Sequence, residues 1–169
     1  MKRILSSVLL VSVLFGSAQA QVRGDANAES SFRAFLPLWE QAISRFINGD
    51  PTLWKQNASQ GDDATVFGAF GGYEKGWKEV GPRYDWASSQ FKESGAKITV
   101  EYINVEVSGD LAYTVGIERG EERLGNLDKP APRALRATQV FRREKGVWKL
   151  LHRHADALVD KKAPSVLQK

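Results

Sequence analysis

The stretch LRATQVFRREKGVWKLLHRHAD, Leu135 to Asp156, reads as two strands joined by a turn. Its flanks alternate apolar and polar residues, and Glu144-Lys145-Gly146 between them supplies the reversal of a hairpin. Residues two apart on a strand point the same way. Period two in the second strand puts Trp148, Leu150, His152, His154 and Asp156 on one face, and Lys149, Leu151 and Arg153 on the other. The first row starts apolar and ends polar, like the wall of a pocket near its mouth. It also holds the only two histidines of the chain.

Working outward, the same period governs KITVEYINVEV, Lys97 to Val107, but its phase changes part-way. Ile98, Val100 and Tyr102 give way to Ile103, Val105 and Val107, so one extra residue at the switch predicts a β-bulge. Ser108-Gly109-Asp110 turns into the strand LAYTVGIERG, and a polar loop with Pro130 and Pro132 leads to the quoted hairpin. Ahead of the strands the rhythm is helical. Phe32, Phe35, Leu36, Trp39, Ala42, Ile43, Phe46 and Ile47 recur at three and four, which predicts an amphipathic helix capped by Ser30 or Ser31. Pro37 should bend this helix or mark its start.

Asn48-Gly49-Asp50-Pro51 reads as a stop and restart, with a short second helix carrying Leu53 and Trp54. ATVFGAFGG reads as a short strand ending in glycines. Tyr73 to Phe91 is expected to be helical, broken or kinked at Gly81-Pro82. Helices followed by a run of antiparallel strands make an α+β arrangement, with helices packed on one face of a curved sheet.

Residues 1–20 carry Lys2 and Arg3, the apolar run Ile4 to Phe15 and an Ala18-Gln19-Ala20 site, the pattern of a signal peptide cleaved after Ala20. The run is short for a membrane span, so no stable membrane anchor is expected, and the location is periplasmic or secreted. Residues 21–29 are expected to be a flexible N-terminus, 30–157 a single domain and 158–169 a frayed tail. The net charge of +4 includes the two basic residues of the leader, and the remaining cations are dispersed, which argues against a nucleic-acid partner. With no cysteine, disulfides and thiol chemistry are excluded.

GDLAYTVGIERG and LRATQVFRREKGVWKLLHRHAD together resemble the SnoaL-like branch of the nuclear-transport-factor-two-like superfamily, which also contains the ketosteroid isomerases. The aromatic first helix, the Gly49-Asp50-Pro51 break and Gly76-Trp77 fit the same pattern, from about Phe32 to Asp156. The resemblance implies a cone: a strongly curved antiparallel sheet (a cystatin-like roll) wrapped around N-terminal helices, with a deep pocket and often a homodimer. Such cones host isomerases, dehydratases, cyclases and binding modules, so the fold does not name the function.

The candidate pocket residues are Trp54, Trp77, Tyr84, Tyr102, Glu118, Arg136, Trp148, His152 and His154. Glu118 and Arg119 point to opposite faces, so at most one lines the cavity, and an inward Glu118 or Arg136 needs a partner. His154 and Asp156 are the candidate catalytic pair, since imidazole moves protons near neutral pH; the alternative for either histidine is a hydrogen-bonded structural group. Two imidazoles and a carboxylate on one strand converge poorly on a single ion, so neither metal nor other cofactor is expected.

The resulting expectation is an exported protein that binds a small, largely apolar molecule in an aromatic pocket. The alternatives are an isomerase, dehydratase or cyclase using His154 and Asp156 as acid and base, and a homodimeric association module.

Overall fold

The computed structural model describes residues 14–161. Most of the expected leader, residues 1–13, and the end of the expected tail, residues 162–169, lie outside them. In chain order the elements are α1 (Leu14–Phe46), α2 (Thr52–Gln56), β1 (Thr65–Phe67), β2 (Glu74–Lys75), α3 (Trp77–Ser89), β3 (Ile98–Ser108), β4 (Leu111–Glu122), β5 (Ala131–Glu144) and β6 (Val147–Ala157).

The apolar stripe of α1 is buried at every expected position from Phe32 to Ile47. The helix begins earlier than Ser30, however. Gln21–Glu29, expected to be loose, are helical, and Ala28 is fully buried one turn ahead of Phe32. Ala28 continues the stripe at spacing four, which explains why no cap is needed at Ser30. Pro37 lies inside α1; Leu36 and Trp39 on either side are both buried in the core and hold the helix across the missing backbone bond.

Gly49 ends the first turn region with φ 89°, and Asp50 Oδ1 accepts the Thr52 amide at 3.0 Å, capping α2. The third helix is shorter than its sequence suggests, because Glu74–Lys75 form β2 instead. It is also unbroken: Pro82 is inside it, and Gly81 serves packing, since a Cβ there would lie 3.2 Å from Trp77 Cε2.

The sheet has six strands in the order β2-β1-β6-β5-β4-β3. All neighbours are antiparallel except β1 and β6. The expected bulge in β3 is present: the register jumps from Tyr102 to Asn104, leaving Ile103 unpaired and exposed. The sheet bends into a cone around α1. Two glycines on the inner row of β4 permit the closest approach, for a Cβ on Gly116 would meet the Glu101 carbonyl at 2.7 Å and one on Gly120 the Lys97 carbonyl at 2.5 Å.

Inside, aromatic rings follow one another along α1. Phe32 sits 5.0 Å from Trp148 and 5.1 Å from Phe141, Trp39 is 5.6 Å from Phe141 and 4.5 Å from Trp54, and Phe46 is 4.6 Å from Trp54. The Trp148 end of the cone is thus packed solid, and Trp148 Nε1 is satisfied by Ser31 Oγ at 3.0 Å.

Candidate functional site

A second bulge decides which side chains enter the cone. Between β5 and β6 the register runs Val140↔His152 and then Phe141↔Leu150, so Leu151 is the extra residue. Alternation therefore changes phase at Leu151. Trp148 and Leu150 point inward, and after the bulge so do Arg153 and Ala155, all buried; His152, His154 and Asp156 go to the outer face.

Arg153 enters the core opposite Glu118 of β4. Its Nη1 donates to Oε1 at 2.5 Å and its Nη2 to Oε2 at 2.8 Å, a bidentate pair with both side chains almost wholly buried. Gln139 Nε2 donates to the same Oε1 at 3.1 Å, and Trp39 Nε1 donates to Gln139 Oε1 at 2.5 Å, which fixes the amide's orientation. Burial alone would push the Glu118 carboxyl up, but the Arg153 charge and hydrogen bonds, with Arg133, outweigh it and the net shift is downward. Arg133 Nη2 lies 3.6 Å from Glu118 Oε2, and its Nε is 2.8 Å from Glu122 Oε2. Burial pushes the Glu122 carboxyl up, against the opposing charge of Arg133.

This network borders a cavity of about 250 Å³ between α1, α2, α3 and the adjoining ends of β4, β5 and β6. Its wall is apolar over Ile43, Phe46, Trp54, Phe91 and Leu135, and polar where Arg83, Arg133, Arg153 and Glu122 meet. Gly68, Ala69 and Phe70 from the loop after β1 complete it. Arg83 fastens that loop: Nη2 donates to the Gly71 carbonyl at 2.5 Å, Nε is 3.5 Å from Glu74 Oε1, and the guanidinium stacks 4.4 Å from the Trp86 ring. Tyr84 also lines the cavity, its hydroxyl pushed up to about 12 by burial.

The model of the SnoaL-like domain family matches residues 40–160, most of the chain. The chain belongs to this family. Its fold is similar to that of a nuclear transport factor 2-like superfamily protein from Salmonella enterica serovar Typhimurium, with a TM-score of 0.68 at 15% identity over 82% of this chain and 96% of the other. A ketosteroid isomerase-like protein from Erwinia carotovora atroseptica gives 0.59 at 18% identity, covering 80% and 97%. The association domain of C. elegans CaMKII gives 0.57 at 18%, covering 80% and 98%. No curated protein matches the sequence.

Of the residues expected in the pocket of this SnoaL-like chain, Trp54 and Tyr84 line the cavity, and Glu118 lies buried behind its polar wall. Glu118 rather than Arg119 faces inward; Arg119 is exposed and pairs with Glu101. Tyr102 is internal but on β3, away from the cavity lining, with its hydroxyl pushed up by burial and by the Glu40 charge. Trp77 stacks on Gly81 outside the lining, and Trp148 belongs to the closed end. Arg136 is corrected outright: it stands on the outer face, half exposed, bound to Asp156 at 2.5 and 3.0 Å.

His152, His154 and Asp156 are corrected with it, because the Leu151 bulge reverses their direction. His152 Nδ1 is 2.8 Å from Thr65 Oγ1, and both imidazoles edge the Phe67 ring at 5.4 and 5.5 Å. Burial, with the neighbouring His154, lowers the His152 pKa. His154 and Asp156 share a shallow outer cleft with Phe67 and Tyr73. Arg83, Arg133, Arg153 and Glu122 were missed as cavity residues. For Arg153 a signal existed: the adjacent apolar pair Leu150-Leu151 interrupts alternation just as Tyr102-Ile103 does in β3.

Proposed function

We propose that the protein is exported and holds a small, largely apolar molecule in this cavity. The observation that carries the binding reading is the uneven filling of the cone. Aromatic rings pack against one another at the Trp148 end, yet about 250 Å³ stays open beside Phe46, Trp54 and Phe91, where larger residues at Ala87 or Ala157 would have filled it. Export rests on the charged start, the apolar run and the Ala18-Gln19-Ala20 site. The proposed protein partner is a second copy, supported by an apolar outer row on β4 and by the likeness to an association domain.

An isomerase, dehydratase or cyclase working through His154 and Asp156 has to use the outer cleft. Inside the cavity, the carboxyl available for proton transfer is Glu122, whose elevated pKa suits a general acid. The neutral apolar dye N-phenyl-1-naphthylamine separates binding from a closed core. Saturable one-to-one fluorescence enhancement is expected, abolished by Ala87→Phe with an unchanged melting temperature. Equal dye binding by both proteins, or none by either, overturns the reading.

A further inference from the structure

The cavity wall carries more cations than carboxylates, although Glu122 Oε2 is itself without a hydrogen-bond donor among the described residues. Three guanidinium groups, Arg83, Arg133 and Arg153, line it against the single carboxylate of Glu122. The carboxylates that balance the others stand behind the wall: Glu118 is fully buried under Arg153, and Glu74 pairs with Arg83 at 3.5 Å. A molecule in the cavity therefore faces mainly cations. Arg153 and Arg83 each already hold an acceptor within the protein, Glu118 for the first and the Gly71 carbonyl for the second.

Arg133 differs. Its side chain is only 10% exposed, and its Nη1 has no hydrogen-bond acceptor among the described residues. Trp54 Nε1, on a residue of the same wall, is likewise without an acceptor among them. A guanidinium cannot shed its proton to escape the cost, and a buried donor without a partner marks a place where something else accepts. Glu122 Oε2 at 2.8 Å and Glu118 Oε2 at 3.6 Å already stand against the Arg133 charge, so it is the Nη1 donor that is left over. A carboxylate takes two N–H groups at once in charge-assisted bonds, whereas a neutral carbonyl makes a weaker one.

Resting on the binding reading above, we propose that the ligand of this cavity is an apolar molecule bearing one carboxylate, which Arg133 receives. Its apolar body would lie toward Phe46 and Phe91.

Matched acid and amide pairs test this by calorimetry on the wild-type protein: phenylacetate, cinnamate and octanoate against their primary amides at neutral pH. At least one acid is expected to bind about tenfold or more tighter than its amide, the gain of one charge-assisted pairing. Arg133→Gln should bring that acid down to the level of its amide, Arg133→Lys should restore part of the difference, and the exposed Arg119→Gln should change neither. If amides bind as tightly as acids, the carboxylate inference falls while the binding reading stands. If Arg119→Gln removes the preference, the acid binds outside the cavity and the inference also falls. If none of the six probes binds while N-phenyl-1-naphthylamine does, the carboxylate inference falls and the binding reading stands; if the dye fails as well, both fall. The wild-type comparison needs no variant to fold.

Discussion

Glu118 is a fully buried carboxylate on the inner face of β4, where ionisation is hard to sustain. It stays charged because two Arg153 nitrogens and the Gln139 amide meet its oxygens, and Arg133 stands near. Removing the carboxylate would leave Arg153 buried without its partner, a fault more costly than deleting the whole pair. Glu118→Gln is accordingly expected to lower the unfolding free energy by about 3–5 kcal/mol, and adding Arg153→Met to recover much of it. Denaturant titration of the two single variants and the double variant gives the coupling directly. The acid limb belongs to the same prediction. Since the folded pKa of Glu118 is depressed, its contribution is complete above the unfolded value of about 4.3 and is lost as pH falls through the folded value. Stability of the wild type should drop below about pH 4, with a shallower slope in Glu118→Gln. Equal slopes would show that other carboxylates set the acid limit.

At the scale of elements, the bend of β4 over β3 depends on glycine. A methyl at Gly116 would approach the Glu101 carbonyl to 2.7 Å, and that atom is backbone in the neighbouring strand, unable to swing aside. Gly116→Ala should cost about 1–3 kcal/mol, measured by thermal or denaturant unfolding, whereas Gly109→Ala, in the open β3–β4 turn, clashes with nothing within 4 Å and carries only the strain of its φ of 58°. A Gly116→Ala loss no larger than that of Gly109→Ala would remove the steric account. The strands themselves were legible because period two is a local property, and the β3 bulge was legible because Tyr102-Ile103 breaks alternation between two otherwise unambiguous runs. The β6 bulge was not read, although Leu150-Leu151 breaks alternation in the same way. Polar residues follow on both rows, so His152 or Arg153 could each continue the inner face, and a histidine pair looks more like a site than an arginine does. Only the pairing with β5 settles the phase. That one residue moved the candidate site from His154 and Asp156 to Arg153, Arg133 and Glu122. The start of α1 was misplaced for a related reason: Gln21–Glu29 are polar enough to suggest a loose segment, and the burial of Ala28 is a tertiary fact.

For the whole molecule, the two faces of the sheet are suited to different work. The inner face holds the ion network and the cavity, and the outer face of β4 presents Leu111, Tyr113, Val115 and Ile117 in one row. Leu111 is 50% and Tyr113 38% exposed, and Val115 and Ile117 are half-buried. Alternation alone would have allowed polar residues at each of these positions, since they contribute nothing to the interior. An apolar row of this kind on an open sheet calls for a cover, and a second copy meeting it through the same face would leave the cavity on the far side of the sheet unobstructed. Sedimentation equilibrium at micromolar concentration should then give twice the mass of one chain. Ile117→Glu places a charge in the centre of that contact and is expected to weaken association more than a hundredfold, on the order of 3 kcal/mol. The variant should still bind N-phenyl-1-naphthylamine, because the cavity wall is untouched. A wild type that sediments as a monomer removes the dimer. A variant that remains dimeric moves the interface elsewhere on the molecule, and one that loses the dye together with the dimer ties the cavity to the assembly, against the independence of the two faces.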